Sequence, residues 1–117
     1  MKKTYHHIQE FTHKTDGTPG LFCATITTVS AAEDAIWAGL SIVGKGDKFC
    51  RKTGRELAEK RALEAIKNYP LYVGQIPKNL PPMTAFFGSV EDFKLFMRFV
   101  RDTSQGIDVL KSRFKVR

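Results

Sequence analysis

Two runs of apolar and β-branched residues, Leu21–Val29 and Ala35–Val43, are separated only by Ser30–Asp34, and a helix-forming stretch begins a few residues later. Alternation puts Phe22, Ala24 and Ile26 on one face of the first run. In the second run Ile36, Ala38, Leu40 and Ile42 share a face and Trp37 takes the other. A connection this short predicts an antiparallel hairpin. A hairpin with apolar residues on both sides needs cover, and the remaining chain has to supply it.

Gly44-Lys45-Gly46-Asp47 breaks the second strand, and Asp47 is placed to cap a helix over Phe49–Asn68. Leu57, Ala58, Ala62, Ala65 and Ile66 form its apolar stripe. Residues 69–88 hold four prolines and two glycines and read as an ordered loop or a short strand around Tyr72–Ile76. Ser89 looks like another N-cap, with Asp92 three residues on, before a helix over Val90–Thr103 that Gly106 stops. Ile107, Leu110 and Phe114 fit a last helix, and residues 4–12 alternate loosely as a first strand. If they do form a strand, His6 and His7 point to opposite faces. The chain thus reads as an α+β fold of one domain over residues 1–117. An antiparallel sheet built on a β-hairpin at about residues 21–43 is packed by a helix over about 49–68 and a C-terminal helical segment over about 89–117.

No apolar run reaches the roughly 18 residues of a membrane span, and the start Met1-Lys2-Lys3 has no apolar stretch behind it. A cytoplasmic protein without a membrane partner is expected. Cys23 and Cys50 lack CxxC spacing and read as free thiols packed as small hydrophobes. Charge is more informative. The net +7 comes from two segments: residues 45–61 carry seven basic and three acidic side chains, and residues 94–117 carry seven and two. Concentrated positive charge captures anions.

Catalytic patterns are missing. His6, His7 and His13 have no carboxylate or Cys partner at metal-ligand spacing, so no metal is expected. There is no GxSxG, no phosphate-loop Lys-Ser/Thr and no paired-carboxylate motif, which predicts a protein that is not an enzyme and carries no cofactor. Anion-binding features stand out instead. A strand runs into a helix N-terminus, and Arg51 and Arg55, four apart, share a helix face. The helical Gly54 implies close approach by another group. Arg61 lies near the apolar stripe, where it needs an acidic partner or a bound anion. In the second basic segment Arg98 and Arg101 are interleaved with Phe93, Phe96 and Phe99. Phe93 and Phe96 fit a core, whereas Phe99 fits the stripe least well and is the better candidate for stacking on a base. The alternative for both segments is a solvated helix face, with Arg55 and Glu59 forming an i,i+4 pair.

The segment Gly39–Leu63 carries Asp47, Phe49, Arg51, Lys52, Gly54, Arg55, Ala58, Arg61 and Ala62 in the order D-x-F-x-R-K-x-G-R-x-x-A-x-x-R-A. This pattern resembles small proteins of phages and prophages and is most similar to the Thoeris anti-defence protein 1 family. The resemblance implies a viral sponge that hides nucleotide second messengers from host effectors without cleaving them. Those messengers are cyclic ADP-ribose isomers made by TIR enzymes and, in some members, cyclic oligonucleotides of CBASS. It further implies a homo-oligomer enclosing its ligand between subunits, with C-terminal basic residues such as Arg113 and Arg117 contributing. Phe49, Arg51, Arg55, Arg61, Arg98, Phe99, Arg101, Arg113 and Arg117 are therefore the candidate ligand-binding residues, and they are expected to converge on one cavity. Two other classes fit the charge: a nucleic-acid-binding module, and a phage inhibitor acting by protein–protein contact.

Overall fold

The computed structural model describes residues 2–13, 19–32, 34–43, 51–68 and 80–116. Strands β1 (Lys2–His13), β2 (Pro19–Ala32), β3 (Ala35–Ile42) and β4 (Thr84–Phe87) form one antiparallel sheet in the order β1-β2-β3-β4. Helix α1 (Arg51–Asn68) lies on one face, and α2 (Val90–Asp102) and α3 (Gly106–Arg113) on the other. The expected α+β class and the β2–β3 hairpin are both present. A register shift between Ser30 and Ala32 brings Ala32 opposite Ala35.

Strand alternation divides the core as the hairpin pattern requires. Ile8, Phe22, Ala24, Ile26, Ile36, Ala38 and Leu40 pack with Phe87 of β4 against Phe93, Met97 and Val100 of α2 and Leu110 and Phe114 near α3. On the opposite face Trp37 meets Phe86 edge-on at 5.1 Å, in a smaller cluster with Ala65 and Leu80. Phe86 and Phe87 belong to a strand that the proline-rich reading of residues 69–88 assigned to loop. The run Thr84–Phe87 is only four residues long, and its strand character comes from pairing Ile36↔Phe87 through Gly39↔Thr84. The short strand placed around Tyr72–Ile76 and the Asp47 cap lie outside the described residues.

Helix α1 sits close to the sheet because the contact is built from small residues. Its buried positions are Ala58, Ala62 and Ala65, with Gly54 one turn earlier. A Cβ on Gly39 of β3 would run into the backbone of Ala58 and Ala62, and one on Gly54 would come within 2.7 Å of the Thr25 hydroxyl. The close approach inferred from Gly54 is thus made by the sheet itself. Turning this stripe inward leaves Leu57, expected in the apolar stripe, 38% exposed, while Ile66 packs against the Trp37 cluster.

The Ser89 hydroxyl accepts the Asp92 N–H at 3.0 Å, the expected N-cap of α2. Helix α2 ends at Asp102 with Thr103 as its cap, earlier than the stop expected at Gly106, which instead opens α3. The Gly106 N–H donates to the Thr103 carbonyl at 3.2 Å, and a Cβ there would strike the Val100 backbone. The chain turns inside the space that the missing side chain leaves.

Candidate functional site

A cleft of about 510 Å³ opens between the β1–β2 side of the sheet and α2. Alternation along β1 aims Lys2, Thr4 and His6 into it, with Thr28 and Ser30 beside them from β2. One face of α2 contributes Lys94, Arg98 and Arg101, four and three residues apart, so their side chains line up along the rim. Asp102 adds a carboxylate at one end. The floor is apolar: Ile36, Phe93 and Met97. The site therefore combines a cationic rim with an apolar base that includes an aromatic ring.

His6 is held by two contacts. Its ring lies 5.0 Å from that of Phe93, and its Nε2 is 3.0 Å from the Thr4 hydroxyl, which in turn shares a hydrogen bond with the Thr28 hydroxyl. Burial pushes the imidazole pKa below its ordinary value, and the positive charge of Arg101 and then of His7 adds to the shift. These surroundings favour neutral His6, and an anion beside Arg101 would reverse part of that preference.

The opposite face of the sheet carries a separate cationic group. His7 Nδ1 lies 3.0 Å from the Thr25 hydroxyl. Its pKa is lowered by burial, then by Arg51 and Arg55, which places those two arginines on the α1 side of β1. The Arg55 guanidinium stands 5.8 Å from the centre of the Tyr5 ring. Glu59 does not pair with Arg55 as the helix spacing allowed. It takes Lys3 Nζ at 2.8 Å and the Tyr5 hydroxyl at 3.2 Å instead, which draws its pKa below the usual carboxylate value.

The expected convergence of residues 51–61 with the C-terminal cations is not found within the described residues of one chain. Arg51 and Arg55 sit on the α1 face and Arg98 and Arg101 on the α2 face, with the sheet between them. Arg61 turns toward the sheet: its Nη1 donates to the Leu40 carbonyl at 2.5 Å, and the Glu64 carboxylate favours its charge, so no bound anion is required. Burial is the main reason its pKa falls. Arg113 likewise donates from Nη2 to the Phe86 carbonyl at 2.8 Å and stands 4.7 Å over the Phe87 ring, so it ties α3 to β4. Phe99 is 41% exposed on α2 and is not among the residues lining the cleft; Phe93, read as core, supplies the aromatic floor. Phe49 and Arg117 lie outside the described residues.

Sequence reasoning did not select Lys2, Thr4, His6 or Lys94. The signal was present in part. The alternation that separates His6 from His7 also puts His6 with Lys2 and Thr4, and Lys94 precedes Arg98 by one helical turn. Which faces meet is a tertiary fact that neither pattern contains. Among the described residues, no group of three or more His, Cys, Asp or Glu side chains is placed to hold a metal ion, and no helix is long and apolar enough to cross a membrane. No protein-family model, curated protein or solved structure matches this chain.

Proposed function

We propose that this protein binds a phosphorylated nucleotide in the cleft between β1 and α2 and holds it intact. The observation behind the reading is the pairing of a cationic rim, Lys2, Lys94, Arg98 and Arg101, with a floor of Phe93, Met97 and Ile36. Guanidinium groups make charge-assisted, often bidentate hydrogen bonds to phosphate oxygens. An apolar floor with an aromatic ring accepts a base or other flat group. Together with the resemblance of Gly39–Leu63 to anti-defence sponges, this points to sequestration of nucleotide second messengers of host antiphage defence, cyclic ADP-ribose isomers first and cyclic oligonucleotides second.

The test is calorimetric titration with cyclic ADP-ribose and with a cyclic trinucleotide, followed by denaturation and mass spectrometry of the released ligand. Saturable binding with the ligand recovered unchanged is expected. Cleavage products would overturn the sponge reading, and failure to bind either probe would remove its basis. Salt separates this reading from nucleic-acid binding. A duplex displaces many counterions, so its affinity falls steeply with salt, whereas a small ligand in a half-enclosed cleft responds far less.

A further inference from the structure

We propose that β1 pairs along its free edge with β1 of a second copy of this chain, antiparallel and about a two-fold axis through His6, joining two four-stranded sheets into one. The sheet order leaves β1 at one end, and among the described residues its 12 positions pair with β2 alone. Its register runs from Lys2↔Ser30 to His13↔Pro19 without a shift. The strand contains neither proline nor glycine. Nothing in it twists the edge away or removes a donor, which are common ways of keeping such an edge from recruiting another strand. The opposite edge, β4, is only four residues long.

The partner is a second copy because the side-chain pattern complements itself. A two-fold axis normal to the sheet keeps every side chain on its own face, so paired positions differ by an even number. With His6 opposite its own copy, Lys2 falls opposite Glu10 at both ends of the seam, Thr4 faces Ile8, and Lys3 faces Gln9. Shifting the axis to Tyr5 puts Lys3 opposite His7, and shifting it to His7 leaves both Lys2 and Glu10 facing threonines. Only the axis at His6 matches opposite charges. It also puts both copies of α2 on one face of the joined sheet, so that Lys2, Thr4 and His6 of the two clefts line the two sides of the seam. This pairing rests on strand geometry and holds whether or not the cleft takes a nucleotide.

The experiment uses ligand-free protein. Sedimentation of the wild-type chain is expected to show a reversible dimer at micromolar concentration. In a Cys50→Ser background, His6→Cys should form an interchain disulfide on mild oxidation. Facing Cα atoms in such a pair are about 4.5–5.5 Å apart, within the Cα separations that a disulfide spans. Thr4→Cys should not cross-link, because its two copies lie four residues apart along the seam, roughly 13 Å. Glu10→Lys should weaken the dimer on the order of tenfold by facing like charges at both ends. Adding Lys2→Glu to it should restore the dimer. A monomer at every concentration, including one whose edge is taken by a foreign strand, overturns the proposal. Cross-linking of Thr4→Cys at least as strong as that of His6→Cys, or no rescue by the double exchange, overturns it as well.

Discussion

Arg55 and Arg61 belong to one run of cations, yet their surroundings give them different tasks. The Arg61 guanidinium is half-buried and bound to a main-chain carbonyl of β3, so Arg61→Ala should destabilise the fold by about 1–3 kcal/mol and leave ligand affinity unchanged. Urea denaturation beside a binding isotherm checks this; a normal midpoint with lost binding would contradict it. Arg113→Ala should behave alike for the same reason. His6 makes a different prediction, one of pH. Its pKa is depressed in the folded chain, so below its ordinary value of about 6.5 the unfolded state takes up more protons than the native state. Stability should therefore be full above that pH and fall as the solution is acidified through it. His7 is depressed too, so His6→Asn should remove only part of the slope. Ligand phosphate beside Arg101 should raise the His6 pKa again. Binding should then take up a proton and strengthen as pH falls, and calorimetry in buffers of different ionisation enthalpy reads that uptake directly. A pH-independent affinity in the wild type would show that the anion does not sit beside Arg101.

At the scale of elements, the fit of α1 to the sheet depends on two glycines and three alanines. Gly39→Ala should cost at least about 1–3 kcal/mol, the usual cost of overpacking, because the obstruction is helix backbone rather than a movable side chain. Thermal denaturation measures it, and a neutral result would mean that α1 stands further from β3 than described. Ser89→Ala should cost about 1 kcal/mol through the lost cap of α2, in the same assay. These elements also mark how far the sequence reaches. The β2–β3 hairpin, the α2 cap and the opposite facing of His6 and His7 were readable because each follows from a local period or a single capping contact. Strand β4 was not, since its four residues follow a run of prolines and owe their conformation to β3. Leu57 was placed inside by hydrophobicity, but the small stripe of Gly54, Ala58 and Ala62 brings the helix closer to the sheet and rotates Leu57 outward.

For the whole molecule, the sheet acts as a partition. It separates the basic segment of α1 from that of α2, so the two charge concentrations visible in the sequence do not add at one site within the described residues of a chain. The rim of the cleft draws on only part of the second segment and recruits Lys2 and His6 from the far end of the sequence. No spacing rule relates Lys2 to Arg101; the strand order does, which is why half of the candidate site stayed hidden until the faces were assembled. The measurement that bears most directly on this account is the affinity for cyclic ADP-ribose of three proteins: the wild type, the Arg98→Ala/Arg101→Ala pair and the Arg51→Ala/Arg55→Ala pair. Each phosphate-binding arginine contributes about 1.5–3 kcal/mol, at least tenfold in affinity. The α2 pair should therefore lose binding by about a hundredfold or more while the α1 pair stays close to the wild type. Loss of binding in the α1 pair with the α2 pair unaffected would contradict the account and move the site to the other face of the sheet.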